Sequence, residues 1–187
     1  MKFVCFSAFC ISVFSLAPGQ SHVGPSSIES GIGSVGEARI RVGGNDRQDD
    51  PRTDQVIEVV TQFFKGLKIK NQATQQYRQH ITDDFFIFEM GKKYSMDELM
   101  ELFQTGDRQW ISTDWKLSDF RVSLDENSAH ASYVNTGVFY FEQDGKKFRS
   151  DLKWLESVYL VRQGDRWKIR FLQSDDVSRE TKEVPAD

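Results

Sequence analysis

The fold is decided by residues 129–171, which read AHASYVNTGVFYF (Ala129–Phe141), EQDGKK, FRSDLKWLESVYLV (Phe148–Val161), RQGDR and WKIRF (Trp167–Phe171). Apolar and polar side chains alternate in these segments, as they do in strands with one buried face. Asp144-Gly145 and Gln163-Gly164-Asp165 lie between the segments, and Gly-containing turns of this kind close hairpins. The stretch predicts an antiparallel meander of three long strands that forms the floor of a single domain.

Upstream of the meander, apolar residues at helical spacing predict a first helix with Thr53 or Asp54 as its N-cap. They are Val56, Ile57, Val59, Val60, Phe63, Phe64 and Leu67. A second, shorter helix is expected around Ala73–His80, with Tyr77 buried. A buried strand, Phe85–Phe88, should follow it.

Ser95 with Glu98 three residues later forms a capping box, which predicts a third helix over Met96–Phe103. Trp110 is expected in a loop, and Trp115–Leu124 is expected to form the next strand. The polar residues after Ser174 show no periodicity, so a frayed end is expected there.

The N-terminal residues have the pattern of a targeting segment. Met1-Lys2 precedes an apolar run, Phe3–Ala17, whose length of about fifteen residues is short for a membrane span. We expect a signal peptide at 1–21 and a secreted or periplasmic protein, with an uncleaved anchor as the alternative. Residues 22–52 are rich in Gly, Ser and Asp and are expected to be a flexible linker, followed by the domain at 53–178 and a polar tail at 179–187.

Composition excludes several classes of function. The formal net charge is −4 and the basic residues are interspersed with acids, so no basic stripe for nucleic acid is expected. Cys5 and Cys10 both lie in the expected signal peptide, which leaves no thiol for a disulfide, a nucleophile or a metal site. His80 and His130 are far apart in the pattern, so we expect neither a metal nor another cofactor. We also expect no membrane contact after signal cleavage.

The order of these elements resembles the SnoaL-like branch of the nuclear transport factor 2-like superfamily. The segments that carry the resemblance are TDDFFIFEMG (Thr82–Gly91), NSAHA (Asn127–Ala131) and VYLVRQGDRW (Val158–Trp167), within about Asp54–Ser174. It implies an α+β fold in which N-terminal helices pack on a strongly curved antiparallel sheet, forming a cone with a pocket open at one end. Isomerases, cyclases, dehydratases and assembly domains share this fold, so the pocket residues must identify the function.

The alternating pattern assigns candidate residues to that pocket. Tyr133 and Asn135 share one face of their strand and are polar groups in an otherwise apolar setting, as in binding pockets. Tyr133 is alternatively a core aromatic with its hydroxyl at the rim. Gln173 is expected on the same face as Trp167, near the pocket mouth. The full predicted lining is Phe88, Glu89, Trp110, Tyr133, Asn135, Glu156 and Gln173.

Glu156 lies between Trp154 and Val158 on one face of a predicted strand. A carboxylate in such a place either has a raised pKa or is held by a cation such as Arg149. The strand around it, Leu152–Val161, is apolar on both faces. This pattern predicts that the outer face of the sheet is also covered, either by a partner subunit in a homodimer through the sheet or by the N-terminal segment.

Glu89 falls where the ketosteroid isomerase branch of the superfamily carries its proton-shuttling carboxylate, and so is implied by that resemblance as a general base. The tyrosine that completes the oxyanion hole of that branch corresponds to about Phe63, which donates no hydrogen bond. Glu89 is alternatively a ligand-contacting acid at the rim. Asp83 and Asp84 are expected in a turn or cap, since adjacent strand residues point to opposite faces.

The function is therefore expected to be the binding of a small apolar or amphipathic molecule. The alternatives are a cofactor-independent isomerase or dehydratase that uses Glu89 or Glu156 as the base, and a self-association module.

Overall fold

The computed structural model describes residues 50–185. Its elements are α1 (Pro51–Leu67), α2 (Ile69–Gln72), a 3₁₀ helix (Gln76–His80), β1 (Ile81–Glu89), β2 (Lys92–Ser95), α3 (Met96–Thr105), β3 (Gln109–Leu124), β4 (Ser128–Gln143), β5 (Lys146–Gln163) and β6 (Arg166–Val184). The expected signal peptide and most of the expected linker lie outside the described residues. Within residues 50–185 no helix has both the length and the apolar character needed to cross a membrane.

The strands form one curved sheet in the order β2-β1-β6-β5-β4-β3. β1 and β6 pair in parallel, and the other neighbours are antiparallel. The predicted meander β4-β5-β6 is confirmed. At its first turn Asp144 and Gly145 have φ of 53° and 73°. Two positive φ values are what a tight hairpin of right-twisted strands requires, so this local chemistry sets the register of β4 on β5.

Helix α1 packs against the inner face of the sheet, as the helical pattern predicted. Its buried residues Val56, Val60 and Phe63 belong to the same apolar core as Val158 and Ile169 of the sheet. The N-cap is Asp50 rather than Thr53 or Asp54: its side chain accepts a hydrogen bond from the Arg52 amide (2.9 Å), and Pro51 occupies the first turn. The helix therefore includes the last residues of the expected linker.

The segment between α1 and β1 differs from the expected second helix. It contains the short α2 and then the 3₁₀ helix, with Gln75 in a left-handed conformation (φ 53°) between them. Tyr77 is buried, as predicted. β1 starts at Ile81 and alternates in burial, so Phe88 is 40 % exposed rather than part of a fully buried strand. The short strand β2, paired to β1, was not predicted.

The capping box of α3 is confirmed. The Ser95 hydroxyl accepts from the Glu98 amide, and the Glu98 carboxylate accepts from the Ser95 amide at 2.7 Å. The loop prediction for Trp110 is wrong, because β3 begins at Gln109. Trp110 packs on Phe103 of α3 with the ring centres 5.7 Å apart.

Strand β6 is much longer than expected, and the prediction of a frayed end after Ser174 is wrong for residues 175–184. These residues pair with the start of β5, where the Ser150 and Thr181 hydroxyls are 2.7 Å apart and Lys146 binds Glu183 at 2.8 Å. The backbone ladder holds this segment although most of its side chains are exposed, which is why no alternation of apolar residues marks it.

Candidate functional site

A row of polar side chains crosses the inner face of the sheet. Tyr133 on β4 lies opposite Glu156 on β5, and Glu156 lies opposite Ser174 on β6. All three are buried. On β1, Glu89 follows the pair Phe88–Gln173 and so continues the row next to Ser174. Burial alternates along β1 so that Phe85, Ile87 and Glu89 face inward. We call Tyr133, Asn135, Glu156, Ser174 and Glu89 the inner polar row.

Glu156 is held by neutral groups. The Asn135 amide nitrogen donates to Glu156 Oε2 (3.1 Å) and the Ser174 hydroxyl donates to Oε1 (3.3 Å). The pKa of Glu156 rises from its ordinary 4.5 to about 8, because burial and, to a smaller extent, the nearby Glu89 raise it more than Tyr133, Asn135 and Ser174 lower it. No ion pair is found at Glu156 in the part of the chain that the structure describes. Of the alternatives that the sequence left open, the structure shows the desolvated carboxyl.

Glu89 is partly buried at the end of β1. Burial raises the pKa of Glu89, as does the charge of Asp176, while the Ser174 hydroxyl and the Arg179 guanidinium lower it. The two acids therefore share Ser174 as a neighbour, and both have raised pKa values; the value of about 8 keeps Glu156 protonated at neutral pH. An acid that keeps its proton near neutral pH can donate a hydrogen bond as well as accept one.

Polar atoms around this row lack hydrogen-bond partners. The Tyr133 hydroxyl, Asn135 Oδ1 and the Trp154 indole nitrogen are buried without a partner. Tyr133 lies near Glu156 without reaching hydrogen-bonding geometry, and both the burial and the Glu156 carboxyl raise the pKa of Tyr133 well above 10. Trp154 is the cross-strand partner of Asn135, so the unpartnered atoms lie in one region of the inner face.

Aromatic side chains surround the inner polar row. The Tyr133 ring packs on Phe120 (5.0 Å between ring centres) and Phe64 (6.2 Å). Further along the strands, Phe139 contacts Trp154, Trp115 and Trp110 at 6.0, 5.0 and 5.8 Å. Trp110 thus belongs to an aromatic cluster on the inner face. A molecule bound at the row would contact apolar surface on several sides.

Two of the predicted lining residues are misplaced. Gln173 is exposed, and it pairs with Phe88, which is also exposed. The cause is a bulge: Leu160 pairs with Ile169 and Tyr159 with Phe171, so Arg170 is an extra residue in β6. The bulge reverses the alternation after Ile169 and turns Ser174 inward instead of Gln173. Ser174 was missed for the same reason.

The remaining polar candidates lie outside the row. Asp84 is within β1 rather than in a turn, is exposed, and accepts a hydrogen bond from Arg170 (2.9 Å). His130 is exposed and 2.7 Å from the Ser157 hydroxyl. Among residues 50–185 no group of three or more His, Cys, Asp or Glu side chains is placed to hold a metal ion. A cleft of about 250 Å³ lies at the other end of β1, lined in part by Arg78, Thr82 and Asp83, and contains no predicted lining residue.

Comparison with solved structures identifies the fold. The chain superposes on a type 2 hexachlorocyclohexane dehydrochlorinase (TM-score 0.57, 8 % identity, covering 73 % of this chain and 90 % of the other). It also superposes on a scytalone dehydratase-like protein from Novosphingobium aromaticivorans (0.55, 10 %, 73 % and 89 %). A third match is the association domain of CaMKII from C. elegans (0.52, 16 %, 66 % and 95 %).

No protein-family model and no curated protein matches the sequence. At these identities the superpositions show the fold alone. The domain has the nuclear transport factor 2-like fold, an α+β cone, as the resemblance implied.

Proposed function

We propose that this nuclear transport factor 2-like domain binds a small, largely apolar molecule whose polar group contacts the inner polar row. The observation that supports this is the set of buried, unpartnered atoms at Tyr133, Asn135 and Trp154. Each such atom costs about 1–3 kcal/mol when it is removed from water without a partner. A bound hydroxyl or carbonyl group would satisfy them.

The chemistry of the row specifies that group. Protonated Glu156 and the Trp154 indole nitrogen are donors, Asn135 Oδ1 is an acceptor, and the Tyr133 hydroxyl can act as either. A ligand hydroxyl, which both donates and accepts, complements this set. The surrounding Phe and Trp rings favour an apolar body, so the expected ligand is amphipathic.

Calorimetric titration of a library of neutral hydroxylated amphiphiles, aromatic and aliphatic, tests the proposal. We expect stoichiometric binding of at least one member. Tyr133→Phe keeps the ring contacts with Phe64 and Phe120 and should weaken that binding about five- to tenfold through the lost hydrogen bond. The absence of binding across the library, or unchanged affinity in Tyr133→Phe, would contradict the proposal.

A second candidate is a cofactor-independent isomerase or dehydratase-type enzyme, which the neighbouring acids Glu156 and Glu89 favour. A raised pKa makes the ionised form of Glu89 or Glu156 a stronger base, which can remove a proton from one carbon and, as the resulting acid, return it to another. Two of the similar structures are named as a dehydratase and a dehydrochlorinase, a likeness at the level of fold. Phe63 lies in the apolar core and donates no hydrogen bond, whereas the Tyr133 hydroxyl is a donor available for a developing enolate.

Proton exchange separates the two candidates. Cyclic ketones in D₂O, followed by proton NMR, should lose signal next to the carbonyl faster with protein than without if the row is catalytic. Glu156→Gln should then abolish the acceleration, because an amide is not a base. If ketones bind and the protein accelerates exchange in none of them, the catalytic role is contradicted and the binding role remains.

We also propose that the domain forms a homodimer through the outer face of the sheet. Phe86, Phe88 and Phe171 form an aromatic group there with ring centres 4.9–5.5 Å apart. Tyr159, the cross-strand partner of Phe171, is 40 % exposed. Sedimentation of the domain should show a dimer, and Phe88→Lys should shift it to monomer, whereas a monomer at high micromolar concentration would contradict this role.

Export is proposed from the N-terminal pattern, namely the single Lys2 followed by the apolar run to Ala17. Expression of the whole chain in a bacterium, with N-terminal sequencing of the periplasmic protein, tests it. Full-length protein retained in the cytoplasm would contradict export.

A further inference from the structure

Arg108, immediately before β3, has an unusual environment. Its guanidinium carbon lies 4.6 Å from the centre of the Phe141 ring, which is buried on the inner face of β4. The side chain of Arg108 is partly buried, and it takes part in no ion pair within residues 50–185. A ring face offers some attraction to a cation, but it does not neutralise the charge.

Arg179 brings a second positive charge to this region. It lies on β6 opposite Leu152, a buried residue of the inner face, and its guanidinium donates to Asp176 Oδ2 at 2.9 and 3.2 Å. Burial lowers the pKa of Arg108, and the charge of Arg179 lowers it further. Through Leu152, Arg179 is level with Gly137 of β4, which lies between Asn135 and Phe141 along that strand.

This arrangement leaves one positive charge uncompensated. Asp176 neutralises Arg179, whereas Arg108 has lost part of its hydration and faces a like charge. A bound carboxylate would replace the lost hydration of Arg108 and offset its repulsion from Arg179. The planar guanidinium can hold a carboxylate through two parallel hydrogen bonds.

We infer that the ligand of the inner polar row carries a carboxylate, which Arg108 binds with Arg179 as its neighbour. The substrate or ligand class is then an amphipathic hydroxy acid with an apolar body. This inference rests on the proposed binding function and makes it more specific. Phe141 lies six positions along β4 from Asn135, at most about 20 Å at 3.3–3.4 Å per residue, so the favoured ligand is elongated.

The test compares two probes with the same hydroxylated chain, the anion 12-hydroxydodecanoate and its neutral methyl ester, by calorimetric titration at neutral pH. We expect the acid to bind about tenfold tighter than the ester through the charge-assisted contact. In Arg108→Gln the preference for the acid should be lost, so that the two probes bind equally. Arg166→Gln is the matched control, because it removes the same charge from an exposed position at the β5–β6 turn.

The possible outcomes separate this inference from the proposed function. Equal binding of acid and ester to the unmodified protein, or a preference for the acid that survives in Arg108→Gln, overturns the inference; Arg108 then only packs on Phe141. The neutral library decides the proposed function independently, since its members carry no carboxylate. If neither 12-carbon probe binds while members of the neutral library do, the inference is overturned and the binding function stands.

Discussion

Two carboxyl groups on β5 lie in opposite environments, and their pKa values shift in opposite directions. Asp151 lies on the outer face, more than a third exposed, and accepts hydrogen bonds from the Arg149 guanidinium at 2.6, 3.0 and 3.1 Å. The Arg149 contact lowers the pKa of Asp151. Glu156 lies on the inner face of the same strand, where an amide and a hydroxyl contact it and its pKa rises to about 8.

The difference distinguishes a carboxyl group that is stabilised by an ion pair from one that the fold keeps without a counter-ion. Asp151 is paired with Arg149 and remains in contact with water. At Glu156 the fold keeps an acid in an apolar setting without a cation, next to polar atoms that have no partner. Such an arrangement lowers stability, so binding or chemistry is the physical reason that we assign to the inner polar row.

The largest expected effect is on how stability depends on pH. Because the folded pKa of Glu156 exceeds the unfolded one, the folded state holds more protons between about pH 4.5 and 8, and stability falls as pH rises through this window. Glu156→Gln should remove this contribution, which is on the order of 1.4 kcal/mol per pH unit. Urea unfolding at pH 5 and pH 8 measures it: the variant should gain several kcal/mol over the parent at pH 8 and little at pH 5.

Asp151→Asn is the control on the same strand. Its lowered pKa gives a contribution of the opposite sign, present at neutral pH and lost as pH falls through the acid range. The exposed ion pair makes this effect small. If the free energy of unfolding of Glu156→Gln depended on pH as that of the parent does, the predicted difference between Glu156 and Asp151 would be contradicted. Glu89 keeps its own contribution in both proteins.

The next effect tests the packing that bounds the inner polar row. A Cβ at Gly137 would lie 2.8 and 2.9 Å from two ring carbons of Trp154. Gly137→Ala should therefore push the Trp154 ring and destabilise the domain by about 1–3 kcal/mol. Thermal unfolding measures the change. Gly106→Ala is the matched control, since its new Cβ would meet nothing closer than 3.8 Å and φ is −77°; equal losses in both variants would contradict the packing.

The smallest effect concerns the Tyr133 hydroxyl. Removing an unpartnered buried hydroxyl forfeits no hydrogen bond, so Tyr133→Phe should leave the free energy of unfolding unchanged or raise it by up to about 1 kcal/mol. The same variant should lose ligand affinity. A loss of more than 1 kcal/mol in stability would show that the hydroxyl already has a structural partner.

Local sequence signals predicted much of the fold. The capping box at Ser95 and Glu98, the turn at Asp144-Gly145 and the helical spacing from Val56 to Leu67 all appear where expected. Each depends on residues close together in the chain. Tyr133, Asn135 and Glu156 were brought together correctly because β4 and β5 pair without interruption.

The misplaced residues depend on pairing between distant segments. No local sequence signal predicts the bulge at Arg170, although the bulge exchanges the faces on which Gln173 and Ser174 lie. The extension of β6 to Val184 depends on backbone pairing with β5. The exposed polar side chains of this segment form no sequence pattern that predicts a strand. The charge environment of Arg108 likewise arises only when β3, β4 and β6 are assembled.

The most direct test of whether Glu156 is a desolvated, protonated acid is the pKa of its side chain in the folded domain. Carboxyl carbon NMR, with the Glu156 signal assigned by its loss in Glu156→Gln, follows its titration between pH 4 and 9. We predict a midpoint near 8 for Glu156, with Asp151 titrating below its ordinary range. A Glu156 midpoint close to 4.5 would show an ordinary, solvated carboxylate and would contradict a desolvated acid in the inner polar row.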